Sequence, residues 1–144
     1  MATVDNNSLI QQVPHAGEYG NAAVWGPDVP FVKAGVGIGD VLRICRIPAG
    51  GRVDDMKLVF DDCGTSMTLK LGYAPVNSAD GPSAVDDYWG TGIDVAAAAG
   101  AHRSIAHPIT FDYDVYVTVT VATAAFTGSP KLTVVATGVA TGTK

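Results

Sequence analysis

The stretch of residues 112–121 constrains the fold of this chain more than any other part of its sequence. Apolar side chains occupy every second position: Tyr113, Val115, Val117, Val119 and Val121 alternate with Asp112, Asp114, Tyr116, Thr118 and Thr120. Successive side chains of a β-strand point to opposite faces, so this period of two indicates a strand with one buried face. The sequence therefore predicts a strand here, with Val117 at the centre of its buried face.

Four further segments carry strand patterns. Residues 40–47 are rich in β-branched side chains, and Met56, Leu58 and Phe60 share one face of residues 52–61. The remaining two are residues 65–73 and 131–139. Short turn signals rich in Gly, Pro and Asp separate the first three of these segments, which predicts that they pair as an antiparallel meander.

No amphipathic helix of ten or more residues is apparent, and 144 residues fit one domain. Residues 74–107 are irregular, which predicts either a long functional excursion, with one helical turn near residues 95–99, or short strands hidden by the composition. Several short strands with turns between them indicate an all-β, antiparallel β-sandwich, for which the jelly roll is one arrangement.

Residues 1–30 show no sustained periodicity but contain isolated large apolar side chains. We interpret them as an extended N-terminal arm before a sandwich domain at residues 31–144, and expect that removing the arm would leave the fold intact. Large aromatics are rare in plain linkers, so they favour contact with a partner. The candidate contact residues are Val13, Tyr19, Val24 and Trp25 in the arm, and Tyr88 and Trp89 in the excursion.

The charge balance excludes several partners. The formal net charge is −5 and the basic residues are scattered, so phosphate backbones and anionic lipid surfaces would repel the chain. No apolar run is long enough to span a bilayer. The first residues also lack the basic and apolar regions of a secretory signal. We therefore expect neither nucleic acid nor membrane as a partner, and synthesis in the cytoplasm.

No catalytic or metal-binding pattern is present. The histidines His15, His102 and His107 lack zinc-ligand spacing. Asp54 and Asp55 are expected on opposite faces of one strand, which prevents a shared acid–base role. We expect no enzyme activity, cofactor or metal site.

The sequence says less about the two cysteines and about the ion pairs of the first strand. Cys45 and Cys63 are expected to be reduced thiols, although the sequence leaves open whether they meet. Arg43 and Arg46 are expected on opposite faces of their strand, with one of them paired to Asp54 or Asp55 across the hairpin.

Residues 39–73 carry a resemblance to a known family. Gly39-Asp40-Val41-Leu42-Arg43-Ile44 is followed by Ile47-Pro48-Ala49-Gly50-Gly51-Arg52-Val53, an alternating strand, a small turn and Ser66-Met67-Thr68-Leu69-Lys70-Leu71-Gly72-Tyr73. This pattern resembles the decoration (cement, or head-stabilising) proteins of tailed-bacteriophage capsids, and residues 113–121 and 132–136 resemble their paired C-terminal strands. The long segment 74–107 departs from the pattern.

The resemblance implies a structural virion protein on the outside of the capsid. Its partner would be the major capsid protein, whose subunits it would bridge, and it would act as a homo-oligomer, most simply a trimer. Two alternatives remain open from the sequence. One is a carbohydrate-binding sandwich with Tyr88, Trp89 and Trp25 as stacking platforms; the other is a tail or baseplate component of the virion.

Overall fold

The computed structural model describes residues 1–5, 22–27, 29–79, 81–96 and 98–142. All of the regular secondary structure in these residues is β-strand. The strands are β1 (Thr3–Asp5), β2 (Ala22–Trp25), β3 (Phe31–Val32), β4 (Val41–Ile47), β5 (Gly51–Phe60), β6 (Thr68–Pro75), β7 (Val85–Asp94), β8 (Gly100–Arg103), β9 (Ile109–Phe111), β10 (Val115–Val121) and β11 (Lys131–Ala140). The all-β prediction is confirmed.

The strands form two sheets. Sheet A has the order β1-β4-β10-β6-β7, and sheet B has the order β2-β11-β5-β8, with β3 also paired to β11 and β9 to β5. All of these pairs are antiparallel except β1 with β4, which is parallel. The predicted antiparallel β-sandwich is confirmed, and the jelly-roll arrangement stays a prediction.

The core lies between the inner faces of the two sheets. The alternating valines of β10 face it from the middle of sheet A, and Val117 is fully buried. Leu132, Val134 and Ala136 of β11 face it from sheet B. The period of two in the sequence therefore identified the buried faces of these strands correctly from Val115 onwards. Tyr113, which was expected on the same buried face, lies before β10 and is 49% exposed.

The predicted meander is wrong, although its three strands exist. β4 and β6 lie in sheet A, whereas β5 lies in sheet B. The corner after β4 carries the chain across the sandwich, and Gly50 adopts a φ of 82° there. A Cβ added to Gly51 would lie 3.2 Å from the Trp25 ring, so this corner is closely packed. Alternation shows which face is buried, but it does not show which strand is the neighbour.

Two β-bulges change the faces expected for charged residues. The register of β4 on β10 shifts next to Ile44 and Cys45, so Arg43 and Arg46 are both outside the core. The register of β5 on β11 also shifts, and Asp54 and Asp55 both lie outside the core. A bulge inserts one residue and so reverses the alternation beyond it.

The ion pairs consequently differ from the expected pairing across a hairpin. Asp54 pairs with Arg52 at 2.8 Å on its own strand, and Asp55 pairs with Arg103 of β8 at 3.0 Å. Arg46 pairs instead with Asp114. These pairs lie on the surface of the sandwich, where each contributes less than about 1 kcal/mol.

The irregular segment 74–107 contains the strands β7 and β8. Of the two alternatives predicted for it, short strands hidden by the composition is therefore the correct one. β7 forms a hairpin with β6, and β8 pairs with β5. The pairing of β7 with β6 shifts register twice, which explains why its sequence lacks a clean period of two. No helix occurs in the described part of residues 95–99, where a helical turn was expected.

Part of residues 1–30 belongs to the sandwich. β1 pairs with β4, and β2 pairs with β11 and places Ala23 and Trp25 in the core. Removing residues 1–30 would therefore open the core, contrary to the expectation from sequence. The boundary at residue 30 stays a prediction, but it does not coincide with an interruption in strand pairing.

The start of β4 holds the N-terminal strand. The Asp40 carboxylate accepts hydrogen bonds from the backbone N–H groups of Gly37, at 2.8 Å, and Ala2, at 2.9 Å. These two hydrogen bonds lower the pKa of Asp40. Val41 N–H also donates to the Ala2 carbonyl at 3.0 Å, so the chain is attached to sheet A before β1 begins.

Candidate partner-binding surfaces

The described candidates from the sequence fall into two groups. Val24 points away from the core on β2 and is 68% exposed, and Tyr88 on β7 is half-buried. Trp25 and Trp89 are core residues, only 3% and 4% exposed. Val13 and Tyr19 lie outside the described residues. Val24 and part of Tyr88 are thus the described candidates that present a surface to a partner.

Trp89 belongs to an aromatic cluster that closes one side of the sandwich. It makes edge-to-face contacts with Tyr73, Tyr88 and Phe111 at ring-centroid distances of 5.7, 5.5 and 6.2 Å. Such contacts add to the stabilisation from burial. Neither tryptophan can serve as a stacking platform for a sugar without leaving the core.

Two hydrogen bonds fix the edge of this cluster. The Tyr88 hydroxyl donates to the His107 carbonyl at 3.0 Å, and His102 Nε2 donates to the Trp89 carbonyl at 3.1 Å. The second bond joins β8 of sheet B to β7 of sheet A. Tyr88 therefore has its polar end engaged within the chain.

Several exposed apolar residues were not singled out from the sequence. They are Val29, Val32, Ile38, Val59 and Ile105. Val29 and Val32 lie close to Val24 along the chain and flank Phe31, which is buried. A run of apolar residues interrupted by Pro27 and Pro30 could have indicated them, because prolines are confined to strand edges and turns.

Shallow clefts with volumes of about 190, 260 and 270 Å³ lie among the described residues. Small-molecule sites generally occupy about 300–1,000 Å³ and enclose their ligand. One of the larger clefts is lined by Ala49, Val76, Asn77, Asp112, Tyr113 and Asp114. In the part of the chain that the structure describes, no group of three or more His, Cys, Asp or Glu side chains converges as metal ligands would.

The cysteines do not form a disulfide. Both thiols are free and buried, Cys45 in β4 and Cys63 in the turn before β6. Burial raises the pKa of Cys45 to about 12; burial, with the nearby Asp62 and Asp61 carboxylates, raises that of Cys63 to about 11. Both therefore stay protonated near neutral pH, whereas the thiolate is the nucleophilic form.

Asp114 connects two loops at the end of the sandwich where the cleft lined by Ala49 and Tyr113 lies. Its carboxylate accepts a hydrogen bond from Arg46 and another from the Ala49 N–H at 2.7 Å. Burial alone would raise the pKa of Asp114, but these hydrogen bonds outweigh it and the pKa is lowered. Its charged form is therefore stabilised by folding.

This arrangement predicts a pH-dependent effect of Asp114→Asn. Because the folded pKa of Asp114 lies below its unfolded value of about 3.9, the stabilisation is present above that value and is lost as the pH falls through the folded pKa. The substitution should therefore lower the free energy of unfolding at neutral pH, and the difference from wild type should shrink as the pH falls below the unfolded pKa of about 3.9. Urea unfolding at a series of pH values measures both.

The matched control is Asp112→Asn, at an exposed carboxylate in the same turn. We expect its difference from wild type to be smaller than that of Asp114→Asn at neutral pH. Equal effects of the two substitutions, or a difference for Asp114→Asn that does not change with pH, would contradict the role assigned to the Asp114 hydrogen bonds.

A search for helices able to cross a bilayer found none among the described residues.

Comparison with known proteins rests on three-dimensional structure, since no family model matches the sequence and no curated protein gives a significant match. Two solved structures are similar. A chain in the structure of the capsid of Ralstonia phage GP4 matches with a TM-score of 0.63 and 15% identity, over 99% of each chain.

The second similar structure is a chain of the cyanophage Pam1 capsid asymmetric unit. It matches with a TM-score of 0.61 and 18% identity, over 88% of this chain and 89% of that one. At these identities the similarity concerns the fold. This protein therefore has the same sandwich fold, along almost its whole length, as chains found in two phage capsid structures.

Proposed function

We propose that this protein is a structural component of a phage particle. It binds the outer surface of the capsid and stabilises the shell by bridging major capsid subunits. The observation that carries this proposal is the full-length match to a chain of a phage capsid structure, which includes 99% of both chains.

The charge of the protein supports a position on the exterior. Its formal net charge is −5, and a packaged genome is a dense array of phosphates. A protein that faced this genome would gain from clustered Lys and Arg side chains. Here Arg46, Arg52, Lys70 and Arg103 are each engaged with an aspartate of the same chain.

The role needs contacts and no reaction, which fits the shallow clefts. An interface of standard size buries about 1,200–2,000 Å², and repeated contacts around a closed shell add to one another. Val13, Tyr19, Val24 and Tyr88 are the contact residues that we retain in this proposal. Trp25 and Trp89 act by stabilising the core that carries Val24 and Tyr88.

The proposal includes a homo-oligomer, most simply a trimer, because a capsid offers symmetric positions to which a symmetric assembly can bind. The protein would be made in the cytoplasm of the bacterial host and added to the assembled shell. Neither an enzyme activity nor a cofactor is part of this function.

We expect the purified protein to bind shells that lack it and to raise the temperature at which they open. Each bound copy favours the closed shell, so the opening temperature should rise until the sites are saturated. The shift is measured by following genome release with a nucleic-acid dye during heating. Adding more protein to saturated particles is the control and should change nothing.

Cryo-electron microscopy of the same particles distinguishes the alternatives. Regular density for this chain over the outer lattice is the expected result. Density confined to the tail would replace the capsid role by the tail or baseplate role. Absence from the particle would contradict both and would return attention to a sugar-binding sandwich, which glycan-array binding tests directly.

A further inference from the structure

One edge of sheet B differs from the other edges of the sandwich. It is formed by β2 and β3, which both pair with β11 on their inner side. Among the described residues, no backbone group bonds to the outer side of either strand. Unpaired N–H and C=O groups along an edge are a template for another strand.

This edge carries exposed apolar side chains. Val24 is 68% exposed, Val29 62% and Val32 50%. The sequence from residue 22 to residue 32 contains no lysine or arginine. Natural sheets usually protect an open edge with charged side chains, especially lysine, and β2 has none.

Two other strands at the sides of the sandwich, β7 and β8, carry charged side chains. On the far side of sheet B, β8 carries Arg103, which pairs with Asp55. In sheet A, the outer strand β7 carries Asp86, which pairs with Lys70, and Asp87 beside it is exposed. The β2–β3 edge therefore differs from the β7 and β8 edges, because it has exposed apolar side chains and its strands carry no charge.

We propose that the β2–β3 edge receives an extended apolar strand of a neighbouring shell subunit, which continues sheet B across the boundary between the two proteins. The backbone of β2 supplies the hydrogen bonds, and Val24 supplies a side-chain contact on the outer face. This inference rests on the proposed function and specifies how the protein binds the capsid.

The small size of the edge favours a shell subunit over a second copy of this chain. β2 has four residues and β3 has two, so pairing through this edge alone would bury far less than the roughly 1,200 Å² of a stable complex. In a shell, the same short pairing acts together with other contacts of each copy and with many copies. The edge should therefore be open in solution and occupied on the capsid.

The test compares Val24→Lys with Val59→Lys. Both substitutions place the same cation on the outer face of sheet B, but Val59 lies on β5, which has neighbours on both sides. We expect Val24→Lys to weaken binding to shells lacking this protein at least tenfold and Val59→Lys to change it less than threefold. Circular dichroism and thermal unfolding establish that both variants are folded.

Hydrogen exchange gives a second readout that needs no variant. Amides of β2 should exchange at least tenfold more slowly when the wild-type protein is bound to shells than when it is free. Unchanged exchange in β2 would overturn the inference. If Val24→Lys does not fold, Val29→Lys, in the loop between β2 and β3, takes its place in the binding comparison.

The outcomes separate the inference from the proposed function. Wild-type protein that does not bind shells at all contradicts the proposed function. Wild-type protein that binds, with Val24→Lys binding equally well, overturns the edge proposal alone. Sedimentation of the free protein gives one more decisive result: wild-type oligomers that dissociate in Val24→Lys would assign the edge to contact between copies and overturn the shell-strand proposal.

Discussion

Val117→Asp is expected to abolish the folded state. Val117 is fully buried at the middle of β10, which itself lies between β4 and β6 in sheet A. An aspartate there would have to lose its water or its charge, at a cost of about 5 kcal/mol or more. Domains of this size have a total stability of about 5–15 kcal/mol. Circular dichroism should show loss of the strand signal and of the thermal transition.

The matched control for this substitution is Val59→Asp. This substitution also replaces a valine by an aspartate, but on the outer face of β5, a central strand of sheet B, where water reaches the side chain. Its cost should stay within about 1 kcal/mol, which reflects the low strand propensity of aspartate. A Val117→Asp protein that unfolds at the same temperature as Val59→Asp would show that the buried face of β10 is assigned incorrectly.

Gly72→Ala is expected to destabilise the protein by about 3 kcal/mol, because the new methyl group overpacks a backbone contact. A Cβ at position 72 would overlap the Val85 carbonyl oxygen and lie 2.7 Å from Asp86 Cα. Both neighbours are backbone atoms of β7, so relief requires β6 and β7 to separate. Urea unfolding at equilibrium measures the loss.

Gly37→Ala is the control for the removal of a glycine. Its nearest neighbour would be Asp40 Oδ2 at 3.7 Å, which is an ordinary contact. The alanine also reduces the entropy of the unfolded chain, so the free energy of unfolding should change by less than about 1 kcal/mol and can rise. Equal stability of the Gly72→Ala and Gly37→Ala proteins would mean that β7 does not approach β6 this closely.

The strands that could be predicted from sequence are those with an uninterrupted period of two. β10 and β11 have long alternating runs, and their buried faces follow directly from the residue types. The strand β7 was missed because two register shifts and the glycines Gly90 and Gly92 break its pattern. A bulge is a backbone event, so its position is not visible in a list of polar and apolar residues.

The pairing between strands was harder to predict from the sequence than the positions of the strands. The short turn after β4 resembles a hairpin turn in composition, but it carries the chain to the opposite sheet. Of the candidate contact residues, Trp25 and Trp89 were chosen for their size, which favours the core as strongly as an interface. Val24 was the better choice because its neighbours Ala23 and Trp25 are buried, which places it on the opposite face.

The positions of β10 and β11 set the time at which this protein can fold during its synthesis. β10 lies between β4 and β6, and β11 lies between β5 and the pair of β2 and β3. Each sheet thus depends on a central strand that is made late: sheet A cannot close until translation has passed Val121, and sheet B cannot close until it has passed Ala140. Until its central strand is made, each sheet has only part of its pairing: β4 can pair with β1, β6 with β7 and β5 with β8, whereas β2 has no described partner strand. Folding must therefore follow most of translation, and the long sequence separations predict that it is slow for a domain of this size.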